Sequence, residues 1–233
     1  QALSVALGLA GSRVILSGRR EARLQETIEQ AASLGADRQG FLIQPLDLLD
    51  TDAILAACAA VTQACGRIDG LVHCAALAPS GHRPLLEASP ASWELLHKTN
   101  VEAAWLLSRT LLPQMLQGPI RILLLSSEAG WSSTAGYGLY NLSKAAVNSL
   151  GHCLASEAAS AWPQEDIQIN VLVPGQFHSQ MNTGSQDSPF APVSMALILL
   201  SHPPGGPNGR FFHRDGRHLG FCDTPAYPFS CQG

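Results

Sequence analysis

Apolar and polar positions along the chain switch period again and again, and the switches predict alternating helices and strands. Residues 1–10 are rich in Ala and Leu and read as a helix, closed by Gly11 as a C-cap. Residues 12–17 are a short β-branched strand, Gly18-Arg19-Arg20 a turn, and residues 21–34 a helix that stops at Gly35. A strand at 41–44 leads to an Ala-rich helix capped by Asp50 or Thr51 and ended by Gly66. A strand at 71–74 follows, then a loop marked by Pro79, Gly81 and Pro84. Ser89-Pro90 is a helix start, with Ser as N-cap and Pro in the first turn. That helix runs toward Leu112, where Pro113 is expected to bend or end it. Residues 120–126 form a strand, 140–160 a long helix and 167–173 another strand. Residues 176–192 are polar and irregular, 194–200 a short helix, 210–213 a last strand, and 225 onward a tail.

Strands at 120–126 and 167–173 are apolar almost throughout, as strands covered on both faces are. Alternation with helices then implies a parallel sheet with helices on each side. The expected fold is α/β, a Rossmann-like doubly wound parallel sheet in one domain covering residues 1–233. The pattern opens on a helix, although in such folds the first strand is central and its turn carries the phosphate-binding glycines. That strand and turn are expected ahead of Gln1 and are missing here, so the sheet is expected to lack its first strand. The strands at 12–17 and 71–74 would then lose a shared neighbour.

Composition narrows the class. Hydrophobic residues make up 46% and charged residues 14% of the chain, against about 25% charged in typical domains, which favours a packed core. Net charge is −4 and the 14 Lys and Arg are scattered, giving no footprint for nucleic acid or an acidic membrane surface. No apolar run approaches the roughly 20 residues of a membrane span. The six cysteines form no C-x-x-C and are expected as buried structural thiols in a reducing, cytoplasmic setting. The eight histidines show no metal-ligand spacing.

The chemistry gathers around Tyr140-Asn-Leu-Ser-Lys144, with Ser127 thirteen residues earlier. Tyr and Lys four apart share one helix face. An ammonium beside a phenol favours phenolate, so the Tyr140 pKa is expected below its ordinary value. Such a Tyr can give or take a proton at an oxygen being reduced or oxidised. Ser127 ends a buried strand at its carboxyl edge, where ligands sit in open α/β sheets. Ser126, its neighbour, is expected to face the other way.

Y-x-x-x-K with the preceding Ser-Ser and the following Val171-Leu-Val-Pro-Gly175 resembles the classical short-chain dehydrogenase/reductase (SDR) family, and the resemblance runs to Arg210-Phe-Phe-His-Arg-Asp-Gly216. It implies an NAD(P)-dependent oxidoreductase. Tyr140 would be acid/base, Lys144 would lower its pKa and hold the nicotinamide ribose, and Ser127 would orient the substrate oxygen. Asn100, in Lys98-Thr-Asn-Val101, would support a water beside the Lys. Asp47 resembles the acid that holds the adenine amino group, a helix N-cap being its ordinary alternative. Ala75 would contact the cofactor through its backbone, within His73-Cys-Ala-Ala76, where the family usually has Asn-Asn-Ala-Gly. Pro174, Gly175, Phe177 and Ser179 resemble the segment that meets the nicotinamide amide. No Asp or Glu occupies positions 16–20, and Arg19 suits a 2′-phosphate, which favours NADP(H) over NAD(H).

The implied partner is a small carbonyl or alcohol substrate, under a loop at 176–192 to which Phe177, Met181 and Phe190 add apolar surface; Trp131 would line the cleft. A homodimer or homotetramer is implied through the helices holding Asn100 and Tyr140. The rival reading is a non-catalytic truncated or regulatory relative that binds no dinucleotide.

Overall fold

Strand β5 (Ile167–Val173) is buried at every position, and β4 (Ile120–Leu125) at all but its last. The two pair in parallel through Ile120↔Ile167 to Leu125↔Leu172. Strand alternation sends Ile122, Leu124, Ile169 and Val171 to one face, against helices α5 (Ala103–Met115) and α6 (Gly138–Ala161). Leu123 and Leu172 go to the other, under α7 (Val193–Leu200). This is the layered α/β architecture that the alternation of elements predicts. These features are taken from a computed structural model, which describes residues 1–78, 84–116, 118–131, 135–179 and 181–219.

The remaining elements are α1 (Ala2–Leu9), β1 (Val14–Gly18), α2 (Glu21–Ser33), β2 (Phe41–Pro45), α3 (Thr51–Cys65), β3 (Gly70–His73), α4 (Pro90–His97), β6 (Phe211–His213) and β7 (His218–Leu219). The strands fall into two sheets, β1-β2 and β3-β4-β5-β6-β7, parallel except for the β6-β7 hairpin. Among the described residues β1 pairs only with β2, and β3 only with β4. Each therefore has one edge without a ladder.

Two polar residues interrupt the apolar run of β5, and the chain ahead of β6 explains both. Gln168 Nε2 donates to the Pro203 carbonyl at 2.8 Å, and Asn170 Nδ2 to that of Pro207 at 2.6 Å. At the amino edge, buried Arg121 donates to the Asp166 carboxylate at 2.7 Å and to the His202 carbonyl at 2.6 Å. Buried polar groups so matched define a loop path where an apolar residue would leave it unspecified.

Several local expectations change. Pro113 lies inside α5, which continues to Met115. Only one backbone bond is lost that near the helix end, and Arg109, whose carbonyl would have received it, is exposed. The helix expected from 90 toward 112 is interrupted by a π-helical turn, Lys98–Glu102. Hairpin strand β7 went unread because it is only two residues long and half polar. Thiols expected to be buried prove mixed: Cys58 is buried and Cys65 intermediate, whereas Cys74 and Cys153 are exposed, one beyond its strand and the other on the outer face of its helix. Cys222 and Cys231 lie outside the described residues.

Candidate active site

The carboxyl ends of β4 and β5 and the start of α6 converge on Tyr140. Ser127 follows β4 and caps a single 3-10 turn, Glu128–Gly130, its Oγ accepting from the Ala129 amide at 3.2 Å. That turn lies hard against α6: a Cβ on Gly130 would come within 2.6 Å of Asn148 Nδ2 and 3.1 Å of the Lys144 carbonyl. A larger residue there would have to displace Asn148, and Ser127, at the start of the turn, hydrogen-bonds the half-buried Tyr140 phenol.

Lys144 lies one turn along the same helix face, 2% exposed. Its Nζ donates to the Leu125 carbonyl at 2.8 Å and stands 5.8 Å from the centre of the Tyr140 ring. The ammonium thus sits near the ring, bonded elsewhere. The expected lowering of the phenol pKa is not what this geometry produces. Burial pushes Tyr140 above its ordinary value, and the Ser127 hydrogen bond offsets this only in part. Burial also drives Lys144 down, to about 8.

Asn100 is fully buried. Its Oδ1 accepts from the Leu77 amide at 2.7 Å, and its Nδ2 donates to the Leu77 carbonyl at 2.9 Å and to Ser143 Oγ at 2.9 Å. The amide is therefore fully engaged by protein, and a water beside Lys144 would need the Asn100 backbone. The π turn is what points this side chain inward, consistent with the frequent placement of such turns at functional sites. Ser143, absent from the sequence expectations, closes the connection by donating to the Tyr140 carbonyl at 2.8 Å. Its only sequence signal was its place three residues after Tyr140, which suits a bond back to the preceding turn. Ser126 faces away from the cleft, its Oγ donating to the Lys144 carbonyl at 3.3 Å.

The other candidates follow the carboxyl ends of strands in one or the other sheet. Exposed Arg19 follows β1, Asp47 follows β2, and Ala75 follows β3. Asp47 caps no helix: its Oδ1 accepts from the Leu49 amide at 3.0 Å, while Asp50 caps α3 through the Ala53 amide. Pro174, Gly175 and Phe177 follow β5, and Ser179 closes a turn in which its Oγ accepts from the Asn182 amide at 3.1 Å. Trp131 is 48% exposed and packs edge-on against Phe211. Met181 and Phe190 are exposed on the loop after β5.

His73, ending β3, is 4% exposed, and its Nε2 has no hydrogen-bond partner among the described residues. Burial first, and the Lys144 charge second, push its pKa down to about 4. An imidazole neutral in the fold and protonated when unfolded costs stability as pH falls from its ordinary value toward 4. The parent is expected to lose about 2 kcal/mol between pH 7 and pH 5 from this group. Denaturant unfolding of a His73→Asn variant should lack that slope, and an equal slope in both proteins would refute the assignment.

Comparison with known proteins identifies the family and the fold. The short chain dehydrogenase family profile matches residues 1–189. The chain is 30% identical over 184 residues to gluconate 5-dehydrogenase of Gluconobacter oxydans (strain 621H), covering 77% of this chain and 68% of that protein. It superposes on a short chain dehydrogenase from Salmonella enterica serovar Typhi with a TM-score of 0.81 at 24% identity, covering 91% of this chain and 89% of that one. A metagenomic short-chain oxidoreductase in complex with NADP gives a TM-score of 0.75 at 27% identity, covering 89% and 87%. The protein has a Rossmann-like α/β fold and belongs to the short-chain dehydrogenase/reductase family. Matched stretches span from 53% to 71% of curated relatives' own lengths. No helix among the described residues is long and apolar enough to cross a membrane.

Proposed function

We propose that the protein interconverts a small-molecule ketone or aldehyde and the corresponding alcohol, using NADP(H). The observation that carries this reading is the Tyr140–Ser127 hydrogen bond with buried Lys144 one turn away on the same helix face. A nicotinamide cofactor, when bound, supplies or accepts the hydride at the carbonyl carbon. Ser127 holds the substrate oxygen, and Tyr140 donates a proton to that oxygen in the reductive direction or accepts it in the oxidative one. Lys144 holds a positive charge beneath the phenol, and Asn100, through Ser143, fixes the first turn of α6.

The residues present fit both ends of a dinucleotide. Arg19, Asp47, Ala75 and Pro174–Gly175 all follow the carboxyl ends of parallel strands, the ends at which open α/β sheets bind ligands. Asp47 and Arg19 would hold the adenosine end, Arg19 matching a 2′-phosphate; Ala75, Pro174, Gly175, Phe177, Ser179, Tyr140 and Lys144 would hold the nicotinamide end. An Arg19→Ala variant is expected to raise the NADPH KM about tenfold, the scale of one lost charge-assisted hydrogen bond. The NADH KM should stay within twofold; equal losses for both would argue against a phosphate contact.

Exposed Trp105 on α5 and Leu142 on α6 support pairing of these helices in a homodimer or homotetramer. Exposed thiols at Cys74 and Cys153 suit a reducing, cytoplasmic setting.

A second reading, a relative that keeps the catalytic residues but binds no dinucleotide, is favoured by the strand edges left open at β1 and β3. Oxidation of NADPH against a panel of carbonyl compounds, with Tyr140→Phe as control, separates the two. Turnover abolished in the variant supports the first. NADPH binding absent by direct titration supports the second.

A further inference from the structure

Among its described residues the loop after β5 has no helix or strand before Val193, so its position depends on what reaches across to it. It leaves the strand through Gly175, whose φ is +64°. A Cβ there would come within 3.0 Å of Arg214 Nε and 3.1 Å of His213 Nε2, so the end of β6 passes directly over the first step of the loop. Arg214 then joins two points eleven residues apart: one guanidinium nitrogen donates to the Gln176 carbonyl at 2.7 Å, the other to the Asp187 carboxylate. A planar guanidinium suits two acceptors in fixed directions, whereas an ammonium is a single point charge.

The same strand end also faces the turn that carries Ser127. The His213 ring lies between two carboxylates, with Nδ1 2.9 Å from Asp215 and Nε2 3.7 Å from Glu128. Glu128 also accepts from Gln176 Nε2 at 3.5 Å, at the start of the loop. Two consecutive residues of β6 and its turn therefore reach both the loop after β5 and the turn that carries Ser127.

The geometry points to Arg214 as a positioning residue that fixes residues 176–179 and 181–187 against the turn that carries Ser127 and so sets affinity for the carbonyl substrate. This rests on the oxidoreductase reading above. Arg214 touches neither substrate nor the reacting atoms; it acts through the loop, so its loss weakens binding more than turnover.

The test compares Arg214→Ala, Arg214→Lys and Asp187→Asn with the parent, by steady-state kinetics on the best carbonyl from the panel and by amide hydrogen exchange. Arg214→Ala is expected to raise the carbonyl KM about tenfold with kcat within twofold, and Arg214→Lys to recover part of that loss. Amides at 176–179 and 181–187 should exchange faster in Arg214→Ala, while those of β5 stay protected. The Asp187 side chain is 51% exposed, so Asp187→Asn weakens one contact by removing its charge, without disturbing the core, and stands in if the alanine variant does not fold. An unchanged KM, a fall in kcat alone, or unchanged loop exchange would overturn the proposal. If the parent turns over no carbonyl, the oxidoreductase reading fails, and exchange decides alone whether Arg214 fixes the loop.

Discussion

Tyr140→Phe is expected to lower kcat about 1,000-fold while leaving the fold intact. General acid–base catalysis by one positioned group contributes roughly 100- to 10,000-fold. Phenylalanine fills the same volume and removes only the hydroxyl that Ser127 meets. The phenol pKa is raised by burial, so at neutral pH Tyr140 carries its proton and is ready to give it. Reduction should therefore hold steady through neutral pH and decline on the alkaline side as the phenol ionises. Oxidation, which needs the phenolate, should rise over the same range. Ser127→Ala should cost less, and the double variant should fall little below Tyr140→Phe, since residues that act as a unit are not additive. Activity equal to the parent's in Tyr140→Phe would remove this residue from the mechanism.

Lys144→Met is expected to abolish most activity and yet stabilise the protein at neutral pH. Its ammonium is buried with one carbonyl partner, and its pKa falls from 10.5 to about 8. Below pH 8 it is charged in both folded and unfolded chains, and only the folded chain bears the desolvation. Between pH 8 and 10.5 the unfolded chain binds more protons, so stability rises with pH across that window. The full shift corresponds to about 3 kcal/mol, of which about 1 kcal/mol is offset in the variant by the lost bond to Leu125. Unfolding curves at pH 7 and pH 10 should show the variant ahead at the lower pH and the gap narrowing at the higher. A variant less stable than the parent at pH 7 would contradict this account. Loss of the charge beneath the phenol should lower kcat about 100-fold or more, the scale of one preorganised electrostatic contact. Function would then be maintained against stability at this position, as strained active sites commonly are.

Element types were legible from local order because each depends on near neighbours. Periodicity fixed β4 and β5, where burial on both faces leaves a continuous apolar run. Ser89-Pro90 announced α4 through a cap whose oxygen accepts from the Ser92 amide. The spacing of Tyr140 and Lys144 placed both on one face of α6 because a helix repeats every 3.6 residues. Asp47 and Asp50 both suited a cap from sequence, and only the path of the chain showed that Asp50 serves.

What lay beyond local order depended on distant segments meeting. Asn100, on the π turn at Lys98–Glu102, meets Leu77, 23 residues away, and Ser143, 43 residues away. The reach of Arg214 to Gln176 likewise joins residues 38 apart. The sign of the Tyr140 shift turned on burial and on where Lys144 donates, and neither follows from the four-residue spacing. Residue types and their spacing are local quantities and name the family and the proposed catalytic pair. Desolvation and long-range hydrogen bonds exist only once the sheets and helices pack, and these set the charge state in which Tyr140 and Lys144 face a substrate.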